Sequence, residues 1–171
     1  ERGGDKRALV EILRKREENA TDRTAKRTFI ERAAKAYVAL GAIEDAISSY
    51  RAILDDFTAD RPTLIALAAL YEKAERYRDL ESTYEADLGI ATEAADRIGL
   101  LTKRGDVRRK QLGEIGSAIE AYRQALTIDP DANDARAALE ELLGGDENAR
   151  SEAAEILRPL YESSGESSKL L

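Results

Sequence analysis

Residues 41–58 read GAIEDAISSYRAILDDFT, and residues 113–130 read GEIGSAIEAYRQALTIDP. The two stretches agree at the leading glycine, at the Ala-Ile pair five residues later, at Tyr-Arg and at one leucine. In both, apolar residues recur every three or four positions, which indicates a helix with one buried face. The recurrence of the whole pattern indicates an internal repeat, and the repeat decides the fold.

The similarity extends along most of the chain when the sequence is compared with itself at a fixed shift. Leu9 coincides with Leu80, and Ile30 with Leu101, at a shift of 71 residues. From Gly113 onward the shift is 72, so one extra residue enters just before that glycine. Each block contains four helical segments, so the elementary unit is a helix pair of about 36 residues.

Helix-forming residues dominate between the breaks, because the chain has only 3 prolines and 11 glycines. No stretch alternates apolar and polar residues over the length of a strand, so the sequence predicts an all-α fold. Helices are expected at 5–18, 23–40, 43–56, 61–74, 77–90, 93–112, 115–128, 132–143 and 148–163.

The composition excludes several kinds of chemistry in this chain of 171 residues. Cysteine, histidine, methionine and tryptophan are all absent, which removes disulfides, thiolate and imidazole metal ligands, and histidine-based catalytic triads. Carboxylates are spread along amphipathic helices rather than clustered, and there is no glycine-rich phosphate loop. We therefore expect no catalytic residue, no metal site and no cofactor.

Charge is distributed unevenly along the chain. Residues 1–40 contain 11 basic and 7 acidic side chains, whereas the whole chain has a net charge of −7. The acidic balance argues against a nucleic-acid partner, since such binding depends on neutralising phosphates. The basic run at 103–110 is interpreted as a solvated helix face, with a docking patch for an anionic partner as the alternative.

No segment reaches the roughly 18 apolar residues of a transmembrane helix, and no secretory leader is visible. A soluble protein without membrane insertion is expected, cytoplasmic rather than secreted. Because the sequence opens on Glu1 rather than on methionine, it is interpreted as part of a longer protein.

A spaced set of small, aromatic and proline residues in the second block resembles the tetratricopeptide repeat family. The set comprises Gly113, Ala118, Tyr122, Ala125 and Pro130. Earlier units carry parts of the same pattern, namely Tyr37, Gly41, Ala46 and Tyr50, and then Leu67, Ala68 and Tyr71. The match covers about residues 5–143. In the third unit, Arg104 and Arg108 depart from it, which suggests a rotated helix.

The resemblance implies a right-handed superhelical solenoid of stacked antiparallel helix pairs within a single domain, residues 1–171. Units are expected at 21–58, 59–91 and 92–130, with 5–18 as the second helix of a preceding unit. Residues 131–171 are expected to be an irregular helical extension, ending at Ser168–Leu171 with the start of a further second helix. The chain would then be a fragment of a longer repeat protein.

The resemblance also implies a function, because first helices line the concave groove in this family. The expected function is non-catalytic binding of a peptide or helix of a partner protein. The expected groove residues are Glu31, Lys35, Val38, Ile65, Ala69, Glu72, Thr102, Asp106 and Arg109. The alternative is a structural spacer or self-associating segment of a long scaffold, with weak end-to-end association through apolar ends. The sequence does not name the partner.

Overall fold

The computed structural model describes residues 2–165. Within them the chain forms nine α-helices and one π-helical turn, without a β-strand. The helices are α1 (Arg2–Glu18), α2 (Arg23–Leu40), α3 (Ile43–Asp56), α4 (Arg61–Lys73), α5 (Tyr77–Ile90), α6 (Ala94–Val107), α7 (Ile115–Ile128), α8 (Asn133–Leu142) and α9 (Glu147–Ser164). The π turn (Arg108–Leu112) follows α6. The helix expected to begin at Ser168–Leu171 lies outside the described residues.

The all-α prediction is confirmed, and the bounds of α2, α3, α5 and α7 coincide with those expected from the sequence. The prediction of one uninterrupted α-helix at 93–112 is wrong. The α-helical hydrogen bonding ends at Val107, and the next five residues form the π turn.

Side chains at the helix ends explain why the breaks fall where they do. Asp22, Asp60 and Asp146 each accept hydrogen bonds from backbone N–H groups in the first turn of α2, α4 and α9, respectively. Gly41 and Gly113 take left-handed conformations, with φ of 74° and 70°, where a helix ends. The short connections between these ends place consecutive helices side by side.

The chain divides into two compact units, Glu1–Thr83 and Tyr84–Leu171. In the first, α1 packs on α2, α2 on α3, and α3 on α4. Ala46 is fully buried, as expected for a small residue where helices approach closely. The other core residues of these helices include Leu13, Ile30, Ala34, Ile47, Tyr50, Ile53, Leu64, Leu67 and Tyr71.

In the second unit, α6 packs on α7, α7 on α8, and α8 on α9. Ala118 and Tyr122 are both 0% exposed, so a small and an aromatic residue of the repeat pattern both lie in the core. One continuous apolar cluster includes Leu101, Ile119, Ala125, Leu126, Ala135, Leu139, Ala153, Leu157 and Tyr161. The helix pair is thus the building element of both units.

Candidate binding grooves

A groove in the first unit lies between α2 and α4 and has a volume of about 310 Å³. Of the residues expected from the sequence, Glu31 and Lys35 line it. The rest of its lining consists of Arg27, Tyr50, Asp60, Pro62, Thr63 and Ala66. The groove therefore has charged walls, with one tyrosine ring and small side chains between them.

Asp60 organises the rim of this first groove. Its carboxylate accepts hydrogen bonds from the Thr63 backbone N–H and the Thr63 hydroxyl, both at 3.0 Å, and it is paired with Arg27. Burial by itself would raise the pKa of Asp60, but these bonds hold the pKa below its usual value. Asp60 is consequently ionised at neutral pH, and it fixes Arg27 of α2 against the start of α4.

A second groove, in the second unit, lies between α6, the π turn and α8 and has a volume of about 330 Å³. Thr102, Asp106 and Arg109, three of the candidate residues from the sequence, line it. The other lining residues are Gly99, Lys103, Lys110, Asp134, Ala137, Ala138 and Glu141. All three of the residues expected from the third unit are thus brought together in one place.

Ion pairs and a tyrosine position the charged groups of this second groove. Arg109 is paired with Glu141 of α8 at 2.6 Å, and its own side chain is only 12% exposed. Asp106 accepts a hydrogen bond of 2.7 Å from the Tyr122 hydroxyl and pairs with Lys110 at 3.2 Å. Burial and the contact with Asp106 together raise the pKa of Tyr122, so this hydroxyl remains a donor at neutral pH.

The two grooves occupy equivalent places in the two repeat blocks. Glu31 of α2 and Thr102 of α6 are separated by 71 positions, as are Lys35 of α2 and Asp106 of α6. Pro62 and Ala66 of α4 correspond to Asp134 and Ala138 of α8, respectively, at a shift of 72. A surface depression that recurs in register with the sequence repeat is a property of the repeat itself.

The remaining expected residues lie on the first unit's helices but not in the lining of its groove. Val38 and Ile65 are large apolar side chains that are 43% and 56% exposed, respectively. Ala69 and Glu72 are also exposed, farther along α4. All four are thus exposed, but the structure does not gather them with Glu31 and Lys35.

The π turn explains the extra residue that the repeat comparison places just before Gly113. At the end of α2, the Ala42 N–H donates to the Tyr37 carbonyl, five residues back. At the end of the π turn, the Glu114 N–H donates to the Arg108 carbonyl at 2.8 Å, six residues back. One additional residue is therefore accommodated by a wider turn, a common outcome of single insertions into helices.

The basic run at 103–110 has many of its charges paired within the second unit. Arg104 contacts Glu85 of α5 at 2.8 Å, and the Arg108 guanidinium donates to the Ser117 carbonyl at 3.2 Å. Arg109 and Lys110 have the carboxylate partners described above. This pairing favours the interpretation as a helix face over a docking patch for an anionic partner.

Neither a metal-binding cluster nor a membrane-spanning helix is present in the part of the chain that the structure describes. Between residues 2 and 165, no group of carboxylates is arranged to hold a metal ion. No helix in that part of the chain has the length and apolar composition needed to cross a membrane. What the grooves offer is a patterned set of charges and small apolar surfaces, which is suited to non-covalent contact.

Comparison with known families agrees with this architecture. Two models of the tetratricopeptide repeat match adjacent segments, residues 63–98 and 99–132. No curated protein matches the chain. The matched segments run from α4 past the end of α7 and include all of α5, all of α6 and the π turn. Together with the helix pairs of both units, they show that the chain contains tetratricopeptide repeats.

Proposed function

We propose that this protein is a non-catalytic interaction module that binds a peptide or helix of a partner protein in its two grooves. Tetratricopeptide repeats generally mediate protein–protein interaction. The observation that carries the proposal is the recurrence of a groove at the same place in both blocks. Five of the nine residues expected from the sequence line these grooves.

The charges of the grooves favour a partner segment that carries both acidic and basic side chains. In the first groove, Arg27 and Lys35 are balanced by Glu31 and Asp60. In the second, three basic residues (Lys103, Arg109 and Lys110) are balanced by three acidic ones (Asp106, Asp134 and Glu141). A segment of mixed charge can pair its acidic groups with the basic residues of the groove and its basic groups with the acidic residues. No buried charge is then left unpaired.

Peptides selected from a random display library provide the test, with affinities measured by fluorescence anisotropy. Ala137→Arg fills the second groove from an exposed position, and Ala66→Arg fills the first. Each variant should lower, by at least tenfold, the affinity for the peptides that bind in the groove it fills. Ala86→Arg, an exposed position of α5 outside both grooves, is the matched control and should leave the affinity unchanged.

Mapping by nuclear magnetic resonance then distinguishes the grooves from other faces, since a chain of 18.8 kDa is well suited to amide shift perturbation. Perturbed amides should cluster on α2 and α4, or on α6, the π turn and α8. Perturbations confined to the second helices of the pairs, with full affinity in both filled variants, would overturn the proposal.

A second candidate function is that of a self-associating structural segment. One observation favours it, namely the exposure of two large apolar side chains on a single face of α1. Leu9 is 39% exposed and Ile12 is 51% exposed. Neither Leu9 nor Ile12 is among the residues that line the two grooves, so the two functions are compatible.

A further inference from the structure

A depression in the second unit differs from the two grooves in the balance of its charges. It lies between the end of α5, the first half of α6 and the end of α7, and its volume is about 390 Å³. Leu88, Leu101 and Ile128 give it apolar surface, and Arg97 and Arg123 give it positive charge. None of its lining residues is acidic, whereas basic and acidic residues are balanced in both grooves. We call it the Arg97 depression.

Arg97 is the cation of this depression that a ligand can use. Its guanidinium donates two long hydrogen bonds, to the Leu88 carbonyl at 3.3 Å and to the Ala91 carbonyl at 3.4 Å. Both acceptors are uncharged backbone groups, and within residues 2–165 no carboxylate forms an ion pair with Arg97. Arg123, by contrast, is paired with Glu120 of its own helix at 2.8 Å. The carbonyls thus hold the Arg97 guanidinium in place without neutralising its charge.

The first repeat block shows which group pairs with a cation at this place. At the shift of 71, Arg97 corresponds to Lys26. Lys26 is paired with Asp56 at 3.0 Å, and at the shift of 72 Asp56 corresponds to Ile128. The second block therefore has the cation, but an isoleucine that is 37% exposed stands in place of its carboxylate partner.

Two more lining positions differ between the blocks in the same direction. Glu17 and Asp55 of the first block correspond to Leu88 and Thr127, respectively. Three lining positions that are acidic in the first block are thus uncharged in the second, and two of them are apolar. The chemistry that fits this surface is a carboxylate carried beside an apolar group.

We propose that the Arg97 depression binds a segment of a partner protein in which an acidic side chain stands next to a large apolar one. The acidic side chain pairs with Arg97, and the apolar side chain packs on Leu88 and Ile128. The depression is open, since Arg123 and Ile128 on its rim are exposed. An open surface suits a protein segment, which makes further contacts on either side, better than a small molecule, which needs an enclosing pocket. This site shares no lining residue with the two grooves, so the inference goes beyond the proposed function.

A matched set of synthetic peptides is the first test. The parent peptide carries adjacent glutamate and leucine residues between glycines and serines, and both of its ends are blocked so that it has no other charge. One peptide variant has glutamine in place of the glutamate, and another has alanine in place of the leucine. In an amide shift titration, the parent should perturb the end of α5, the first half of α6 and the end of α7. Each peptide variant should bind more weakly by about fivefold or more.

Substitutions in the protein test the role of the missing carboxylate. Ile128→Asp places a carboxylate where the first block has Asp56, so Arg97 becomes paired within the chain. This variant should lower the affinity for the parent peptide by about tenfold or more, as should Arg97→Gln. Arg97→Lys should retain most of the affinity, because Lys26 forms the corresponding pair in the first block. Ile65→Asp alters an isoleucine that is 56% exposed and lies outside the depression, and as the matched control it should leave the affinity unchanged.

Several outcomes would overturn the inference. A parent peptide that perturbs none of these three helix segments at about 1 mM would do so. Equal affinities for the glutamate and glutamine peptides would exclude the ion pair, as would an Ile128→Asp variant with full affinity. Circular dichroism confirms that each variant is folded, and the peptide variants decide the matter if a protein variant is not. Ala66→Arg and Ala137→Arg, which fill the grooves, should bind the parent peptide normally, so a failure here leaves the groove proposal standing.

Discussion

Substitution of Gly105 by alanine should destabilise the second unit, although alanine is the better helix former. Gly105 is buried within α6, opposite the ring of Tyr122. A Cβ atom at this position would lie 2.5 Å from Cε1, 2.8 Å from Cζ and 2.9 Å from Cδ1 of that ring. The ring has little room to move, because Tyr122 is 0% exposed and its hydroxyl is held by Asp106 at 2.7 Å.

Two opposing effects set the magnitude. Replacing glycine by alanine inside a helix stabilises it by about 1 kcal/mol. Forcing an additional methyl group into a packed core costs about 1–3 kcal/mol. Because the contacts at Gly105 are far inside van der Waals distance, we expect the steric cost to exceed the helix gain. With the steric cost in the upper part of its range, about 2–3 kcal/mol, the net loss in the free energy of unfolding should be about 1–2 kcal/mol.

Gly99 provides a matched control in the same helix. Nothing lies within 4 Å of a Cβ added there. Gly99→Ala should therefore stabilise the protein by about 0.5–1 kcal/mol. Urea unfolding followed by far-ultraviolet circular dichroism measures the free energy of unfolding of both variants. Both substitutions lie in α6, so their effects are compared within the same helix.

A double-mutant cycle isolates the clash from other effects. In a Tyr122→Leu background, the ring that opposes the new methyl group is gone. Gly105→Ala should then change sign and stabilise the variant by up to about 1 kcal/mol. Equal effects of Gly105→Ala and Gly99→Ala in the wild-type background would refute the reasoning, as would an unchanged effect of Gly105→Ala when Tyr122 is removed.

Three further predictions follow from burial, capping and helix geometry. Ala46→Leu and Ala118→Leu should each lower the free energy of unfolding by about 1–3 kcal/mol, because both positions are 0% exposed; unchanged midpoints in urea would contradict this. Asp60→Ala should cost about 1–2 kcal/mol at pH 7 through the lost cap and the lost pair with Arg27. Because the folded pKa of Asp60 is depressed, this difference is fully present above about pH 4 and should shrink in urea titrations as the pH falls below that value. Deletion of Gln111, an exposed residue of the π turn, should leave a folded protein with an ordinary α-helical end, which amide hydrogen-bond mapping would detect.

The sequence predicts the helices well because local interactions set several of their boundaries. Asp22 and Asp60 cap the first turns of their helices, and Gly41 supplies the left-handed residue that ends α2. Such interactions extend over three or four residues, so a short stretch of sequence contains all the residues that take part. The buried alanines of the repeat pattern are predictable for a related reason, since the repeat displays the same contact twice.

The candidate site is only partly predictable, because a groove depends on the gap between helices and not on one helix. Periodicity shows that Val38 and Ile65 leave the core stripe, and both are exposed. It does not show which exposed residues face each other across a depression. For this reason Asp60 is not among the groove residues expected from the sequence. Its place in the groove comes from its pairing with Arg27, 33 residues earlier in the sequence.

The π turn shows how a single inserted residue can be absorbed without changing the fold. The repeat comparison locates the insertion before Gly113, but the residue composition of 108–112 is ordinary for an α-helix, so an uninterrupted helix was expected. An inserted residue must either shift every later contact or be absorbed locally, and burial of Ala118 and Tyr122 opposes the shift. The wider turn absorbs it beside Arg109, whose first-block counterpart is Val38. The second groove has the Arg109–Glu141 pair at the position where the first block has Val38, so the two blocks present different chemistry.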